Sequence, residues 1–367
     1  MVVGIAINRA WNIYNFRQGI IRSLIEAGHT VVAIAPRDEY VERLQKLGCI
    51  FEHVSMTDTG SNPFNELKVV IEFHRIIKRQ KIEVLLNYTI KCNLYGSLVA
   101  SWNHIPTICN ISGLGTAFLS PGFSSGIARF LSSRWLRSAS HLFFQNQDDR
   151  KDFLAATKLS DVPNSLLPGS GVDLDRFKSV NDNLPNEYHF ILLARLIIEK
   201  GVREYVEAAS IVKQIYPEVK FLIVGSLDEA HARSISKLEL EHWVANDWID
   251  YLPHRDDIPE LISLAEVAVL PSYREGTPRS LLEAGACGKP LITTDVPGCR
   301  EVVTDKLNGF LCKARSSIDL ADKMKDYLKM GKEEKLRMGQ ESRRLIENRF
   351  DENHVIRAYL DKIDELT

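Results

Sequence analysis

The sequence predicts an α/β protein of two doubly wound domains, each a parallel sheet with helices on both faces. Three observations predict it. Short apolar runs alternate with stretches of helical period, the pattern of βαβ units. The alternation runs through twice, with a break rich in Gly, Pro and Asp at "LLPGSGVDLDRFKSV". A length of 367 residues is also enough for two domains that each bury a core.

In chain order, "VVGIAI", "TVVAIA", "EVLLNYT", "PTICNI" and "HLFFQN" read as strands of the first domain. The helical stretches between them are Phe16–Ala27, Pro63–Lys81, Asn93–Asn103 and Gly126–Ser138. The second series is "FILLARL", "KFLIVG", "WIDYLP", "VAVLPS" and "PLITTD", with helices expected at Val202–Tyr216, Ile258–Leu264 and Pro278–Ala286. After Ala314 the pattern is helical throughout. The last stretch, "NHVIRAYLDKIDEL", sets Val355, Ile356, Tyr359, Leu360 and Ile363 on one stripe that must dock on something. Domains of residues 1–175 and 176–350 follow, with a terminal helix over 351–367 expected to pack back on the N-terminal domain. Ligands of such folds bind outside the carboxyl ends of the strands, so a cleft between the two domains is the expected site.

Composition narrows the class. Hydrophobic residues make up 45% and charged residues 26%, as in ordinary soluble globular proteins. Met1 runs straight into a strand, so no signal peptide is expected, and no apolar window is long enough to span a membrane. The six cysteines form no C-x-x-C pair and read as reduced thiols. A net charge of −2 hides an asymmetry: residues 1–180 carry 20 Lys+Arg against 15 Asp+Glu, and residues 84–147 contain no acid at all. The acid-free stretch keeps Lys91, Arg129, Arg134 and Arg137, which suits an anionic partner. No nucleic-acid-binding motif accompanies it.

Several chemistries are excluded by absence of their motifs. There is no G-x-x-x-x-G-K-[ST], no G-x-S-x-G and no H-E-x-x-H, and the loop after the first strand, "NRAWNIYN", has no glycine for a dinucleotide fingerprint. Asp173-x-Asp175 in "GVDLDRF" is better explained by turn and cap chemistry than by a metal. The stretch that remains is "VAVLPSYREG" running into "PRSLLEAGACG". It reads as a buried strand, a Gly loop, an N-cap at Thr277, Pro278 in the first turn and a buried helix. Glu283 then lies in the second turn, where an unpartnered carboxylate costs several kcal/mol. It needs an Arg or Lys, or donor hydroxyls such as a ribose diol. Helix-start amides at Arg279 and Ser280 favour a phosphate, and Glu275 on the loop in front can accept from hydroxyls beyond it. The spacing fits a nucleotide-sugar.

These residues resemble a known family. "EGTPRSLLEAGACGKPLITTDVPGCREVV" is similar to the E-x7-E region of retaining family 4 glycosyltransferases with the GT-B fold. The resemblance continues in "LLARLIIEKGVREYVEAA", "LIVGSLDE", "YLPHRDDIPELI", "IYNFRQGIIRSL", "ISGLGTAF" and "PGSGVDLDRF", and covers essentially the whole chain. Its N-terminal stretches are similar to those of bacterial enzymes that add a sugar to an undecaprenyl-diphosphate-linked acceptor.

The resemblance implies a retaining, metal-independent hexosyltransferase with no cofactor, working on a nucleotide-sugar, by implication a UDP-sugar. It assigns Arg195 and Lys200 to the donor diphosphate and Glu275 to the donor sugar, these three being the catalytic set. Gly225, His254, Arg255, Gly276, Thr277, Pro278, Arg279, Ser280 and Glu283 would line the donor, with Glu283 on the ribose. Tyr14, Asn15, Lys91, Asn110, Ser112, Gly113, Gly115 and Thr116 would line the acceptor. Two departures stand out: an aromatic "NRAWNIYN" where many relatives have Gly-Gly, and Asn110 with Ser112 where many place a histidine. "GFSSGIARFLSSRWLRS" sets Phe123, Ile127, Phe130, Leu131 and Trp135 beside three arginines, so residues 123–137 are expected to lie on an anionic membrane surface, peripherally and on the cytoplasmic face. The rival readings are a nucleotide-sugar 2-epimerase of the same architecture and a non-catalytic nucleotide-sugar-binding protein.

Overall fold

The structure, a computed structural model, describes residues 1–57, 63–114, 118, 123–179, 187–229, 231 and 233–366. Two compact units divide the chain: Met1–Ser170 together with Glu352–Thr367, and Gly171–Asp351. The terminal helix thus belongs with the first unit.

The first unit holds a seven-stranded parallel sheet: β1 (Val2–Ala6), β2 (Thr30–Ala35), β3 (Ile50–His53), β4 (Val84–Tyr88), β5 (Thr107–Ile111), β6 (His141–Phe144) and β7 (Asn164–Leu166). Their order is β3-β2-β1-β4-β5-β6-β7. β1 pairs with β2 on one side and β4 on the other, Val3 lying beside Val31 and Val84. The topology reverses there, so the carboxyl ends of β1 and β4 diverge into a crevice. β4 and β5 are buried along their whole length, as parallel strands covered on both faces must be.

The second unit repeats the plan with six strands: β8 (Tyr188–Leu193), β9 (Phe221–Val224), β10 (Asp250–Leu252), β11 (Ala265–Leu270), β12 (Leu291–Thr294) and β13 (Gly309–Cys312). Their order is β10-β9-β8-β11-β12-β13, with the switch point between β8 and β11. The fold is therefore two doubly wound, Rossmann-like units, as the alternating pattern predicts. The sequence reading finds five strands in each half; β3, β7 and β13 are additional, and all three are short strands at sheet edges. Their pattern is too short to register as a period. Gly309 opens β13 because a Cβ there would overlap the carbonyl oxygen of Leu291 on β12.

Three helices begin earlier than expected: Ala10–Glu26, Ile90–Asn103 and Phe123–Trp135. The first two have no side-chain cap to announce their start.

The helix Glu352–Leu366 buries Val355, Tyr359 and Ile363, as its stripe predicts. They join the cluster of Ile5, Ile13, Val84 and Tyr88 on one face of the first sheet. Gly19 lets the first helix come close to it: an added Cβ would stand 2.8 Å from Ile356 Cδ1. Asn110 on β5 completes the attachment, its Nδ2 donating to Tyr359 Oη at 2.9 Å. All six cysteines are buried free thiols. Among the described residues, no helix is long and apolar enough to cross a membrane.

Replacing Asn110 with Ala strands the buried Tyr359 hydroxyl and empties part of its site. The expected cost is about 1–3 kcal/mol, seen as an earlier unfolding transition in urea by circular dichroism. An unchanged transition would show that apolar packing alone docks the helix.

Candidate active site

The second unit's switch point gathers the charged residues that the sequence singles out. β8 ends at Leu193, and the chain turns through Arg195 into a 3-10 turn over Ile198–Lys200. Gly201 closes that turn in the left-handed region, φ +70, where an added Cβ would overlap the carbonyl oxygen of Pro271 at the end of β11. Only glycine lets the two strand ends approach so closely. Tyr273 N–H donates to Glu199 O at 2.9 Å and fastens the β11 loop to the same turn.

The consequence is an ion pair between Lys200 Nζ and Glu275 Oε1. Its side chains are 24% and 13% exposed, so the pair is largely removed from water. Ser272, fully buried, donates through Oγ to the same Glu275 oxygen at 2.7 Å. Behind the loop, Gly298 stands at φ +82, where a Cβ would overlap the carbonyl oxygens of Glu275 and Gly276. Cys299 beside it is held as a thiol, pushed up to about 12 by burial and then by the charge of Glu275. Arg195 is exposed, and among the described residues its guanidinium has no partner.

Glu283 takes Arg279 as its partner, Nε to Oε1 at 2.9 Å, with both side chains about 15% exposed. Of the two expected solutions for this carboxylate, an Arg is the one present, and among the described residues only Oε1 is engaged. The helix runs Arg279–Ala286 and its cap is Pro278, extended at ψ 110, so the expected cap at Thr277 lies one residue too early. Proline holds the non-helical residue here because it ends the loop rather than opening the first turn. The amides of Arg279 and Ser280 remain at the helix start, where no helix carbonyl can accept from them.

The remaining donor-side residues fall at neighbouring strand ends. Gly225 follows β9 and takes no side chain because a Cβ would overlap the carbonyl oxygen of Ala194. His254 and Arg255 follow β10, half-exposed and pairing with Asp256 and Asp257; Arg255 Nε donates to Asp257 Oδ1 at 2.7 Å. Asp173 Oδ1 accepts the backbone N–H groups of Asp175 and Arg176 at 2.9 Å each, closing a turn.

The acceptor-side residues in the first unit do not form one cluster. Ser112 and Gly113 are exposed at the carboxyl end of β5. Lys91 is paired with Glu66 at 2.7 Å. Tyr14 packs on Tyr40, with ring centroids 5.6 Å apart, and Asn15 Nδ2 turns back to Trp11 O at 3.0 Å. Asn110, expected to face the ligand, is buried at 1% exposure between Tyr359 and Gln145. Its amide belongs to the docking of the last helix, which pattern alone could not show. Gly115 and Thr116 lie outside the described residues. Sequence reasoning passed over Ser272 and Gly298; the P-G step before Cys299 was the available signal for the second.

A Lys–Glu pair and an exposed Arg stand together at the β8–β11 switch point of a Rossmann-like unit, the position where sheets of this class bind ligands. Comparison makes the class definite. Residues 174–345 match the family model described as glycosyl transferases group 1, and residues 6–146 match the glycosyl transferase 4-like model. The chain belongs to this family of glycosyltransferases, with the GT-B fold.

The likeness to one curated relative runs the full length. The chain is 28% identical to N,N'-diacetylbacillosaminyl-diphospho-undecaprenol alpha-1,3-N-acetylgalactosaminyltransferase of Campylobacter jejuni, covering 100% of this chain and 99% of that one. It is 24% identical to an Escherichia coli UDP-Gal:alpha-D-GlcNAc-diphosphoundecaprenol alpha-1,3-galactosyltransferase over 67% of this chain and 66% of that one. Anabaena HepE, solved with UDP and glucose, superimposes with a TM-score of 0.82 over 100% of both chains at 17% identity, a likeness of fold.

Gly201→Ala adds a methyl group where the backbone has no room and φ is positive. We expect destabilisation by about 2 kcal/mol or more, measured by thermal unfolding. A wild-type midpoint would show that the turn can open to make room for the methyl group.

Proposed function

We propose that the chain transfers a hexose or N-acetylhexosamine from a UDP-sugar, with retention, to a hydroxyl of a polyprenyl-diphosphate-linked saccharide during bacterial surface-glycan assembly. The observation that carries the reading is the Lys200–Glu275 pair at the β8–β11 switch point. The full-length likeness to a transferase named for a diphospho-undecaprenol acceptor supports the acceptor class. N-acetylgalactosamine is accordingly the first donor sugar to try.

The chemistry follows from charge. As the glycosidic bond breaks, the departing diphosphate gains negative charge. Arg195, Lys200 and the amides at the start of the Arg279–Ala286 helix meet that charge with fixed positive ends and need no metal ion to do so. Lys200 is neutralised by Glu275. A bound diphosphate competes for the ammonium and releases the Glu275 carboxylate to accept from sugar hydroxyls. The unengaged oxygen of Glu283 takes the ribose diol. Retention without a carboxylate nucleophile leaves front-face substitution, in which the donor phosphate helps to deprotonate the acceptor hydroxyl.

The helix Phe123–Trp135 is the membrane-facing element of this reading. Ile127 and Phe130 are 44% and 66% exposed, next to Arg134 and Arg137 on the exposed side. Leu131 and Trp135 face inward and pack on the core, so the apolar surface offered to lipid is smaller than the sequence suggests. Arg137 is also tied to Asp161 at 2.9 Å.

The decisive assay supplies UDP-N-acetylgalactosamine or other nucleotide-sugars with a polyprenyl-diphosphate-saccharide and follows release of nucleotide. We expect acceptor-dependent release, with Glu275→Ala lowering kcat by about 100-fold or more while donor binding persists. A lipid-free product, or full activity in the variant, would reject the reading. For the membrane contact, Phe130→Glu with Ile127→Glu should abolish flotation with vesicles containing anionic lipid and leave the thermal midpoint in place. Equal flotation of the variant would remove this helix from the proposal.

A further inference from the structure

The first unit contains a buried cation that no carboxylate among the described residues neutralises. Arg17 lies on the buried side of the Ala10–Glu26 helix and is 6% exposed. Its guanidinium stands 4.2 Å over the ring of Tyr88. Nη1 donates to the adjacent Phe16 carbonyl at 2.8 Å, while Nε is buried without any hydrogen-bond partner. Among the described residues no carboxylate reaches it. A guanidinium taken from water without a counter-charge is strongly unfavourable, and fixed placement of one implies an anion that arrives later.

Its location agrees. Tyr88 is the last residue of β4, next to β1 at the switch point of the first sheet. The residue after it, Thr89, is a non-glycine at φ 67, ψ 154, a strained conformation. Its hydroxyl is also buried without a partner. Strain and two unsatisfied polar groups coincide at the position where an open α/β sheet binds its ligand. The stretch that begins with β4 is the acid-free one, residues 84–147, so no acid of that stretch competes for the guanidinium.

We propose that Arg17, with the Thr89 hydroxyl, takes phosphate oxygens of the diphosphate that joins the acceptor saccharide to its lipid. The stacked Tyr88 ring occupies a face of the guanidinium and the Phe16 carbonyl takes Nη1, which leaves the Nε–Nη2 edge for a two-oxygen fork. This assignment rests on the acceptor class proposed above. It gives the first unit an anion contact of its own.

The test is Arg17→Met, which keeps the length of the side chain and removes the charge. At saturating donor, KM is measured for the polyprenyl-diphosphate-saccharide and for the same saccharide on a neutral alkyl chain. We expect a tenfold or greater rise in KM for the diphosphate acceptor, none for the neutral one, and an unchanged KM for the donor. Arg17→Lys should recover part of the loss. The thermal midpoint of Arg17→Met should stay level or rise, because an unpaired buried charge has gone. Equal losses on both acceptors, a rise in donor KM instead, or a lowered midpoint with unaltered acceptor KM would each overturn the assignment. If wild type transfers to no diphosphate lipid, the functional reading falls and this inference with it. If wild type transfers and the variant does so equally well, only the inference falls.

Discussion

The salt bridge between Lys200 and Glu275 is the interaction around which the second unit is organised. Opposite charges come from loops that leave neighbouring parallel strands, β8 and β11, at the point where the sheet reverses its winding. Those loops would diverge if left alone. Gly201 against Pro271, Gly298 against the Glu275–Gly276 backbone, and the Tyr273–Glu199 hydrogen bond press them together. Ser272 then fixes which oxygen of Glu275 faces the ammonium. These contacts hold the two charges in a fixed arrangement, which is what preorganised electrostatic stabilisation requires. Because the charges are paired, neither is buried alone.

That balance separates the charged residues into two kinds. Glu275 and Glu283 are each held by a cation, Lys200 and Arg279. Among the described residues Arg195 and Arg17 have no such partner: one stands in solvent and the other is buried. In the proposed reaction these two cations meet phosphate directly, whereas Lys200 does so only by exchanging Glu275 for the donor diphosphate.

The sequence discloses the parts of this arrangement that depend on local pattern. Buried parallel strands are continuous apolar runs, so "VAVLPS" and "FILLARL" are unambiguous, and the charges after them fall at carboxyl ends by necessity. The terminal stripe of Val355, Tyr359 and Ile363 is equally plain. What stays hidden depends on packing between distant segments. Asn110 reads as a loop-end polar residue near a ligand, yet Tyr359, 249 residues away, claims its amide. Arg17 looks like one more helix charge until β4 puts Tyr88 beneath it. The shift of the helix cap from Thr277 to Pro278 turns on a single ψ angle that residue type does not set.

The same packing gives the last helix a part in binding as well as in stability. Tyr359 bonds to Asn110 on β5, and its ring lies 5.9 Å from that of Tyr88, the residue on which Arg17 rests. Phe143 on β6 contacts the other side of Tyr359 at 5.0 Å. Three strand ends and the first helix therefore share one aromatic support, and the chain reaches it only in its final 15-residue helix. A close-packed core transmits displacement because it has no slack to absorb it. Loosening the terminal helix would move the ring that positions the buried cation, so the end of the chain sets the geometry of a site whose other residues come from its first hundred.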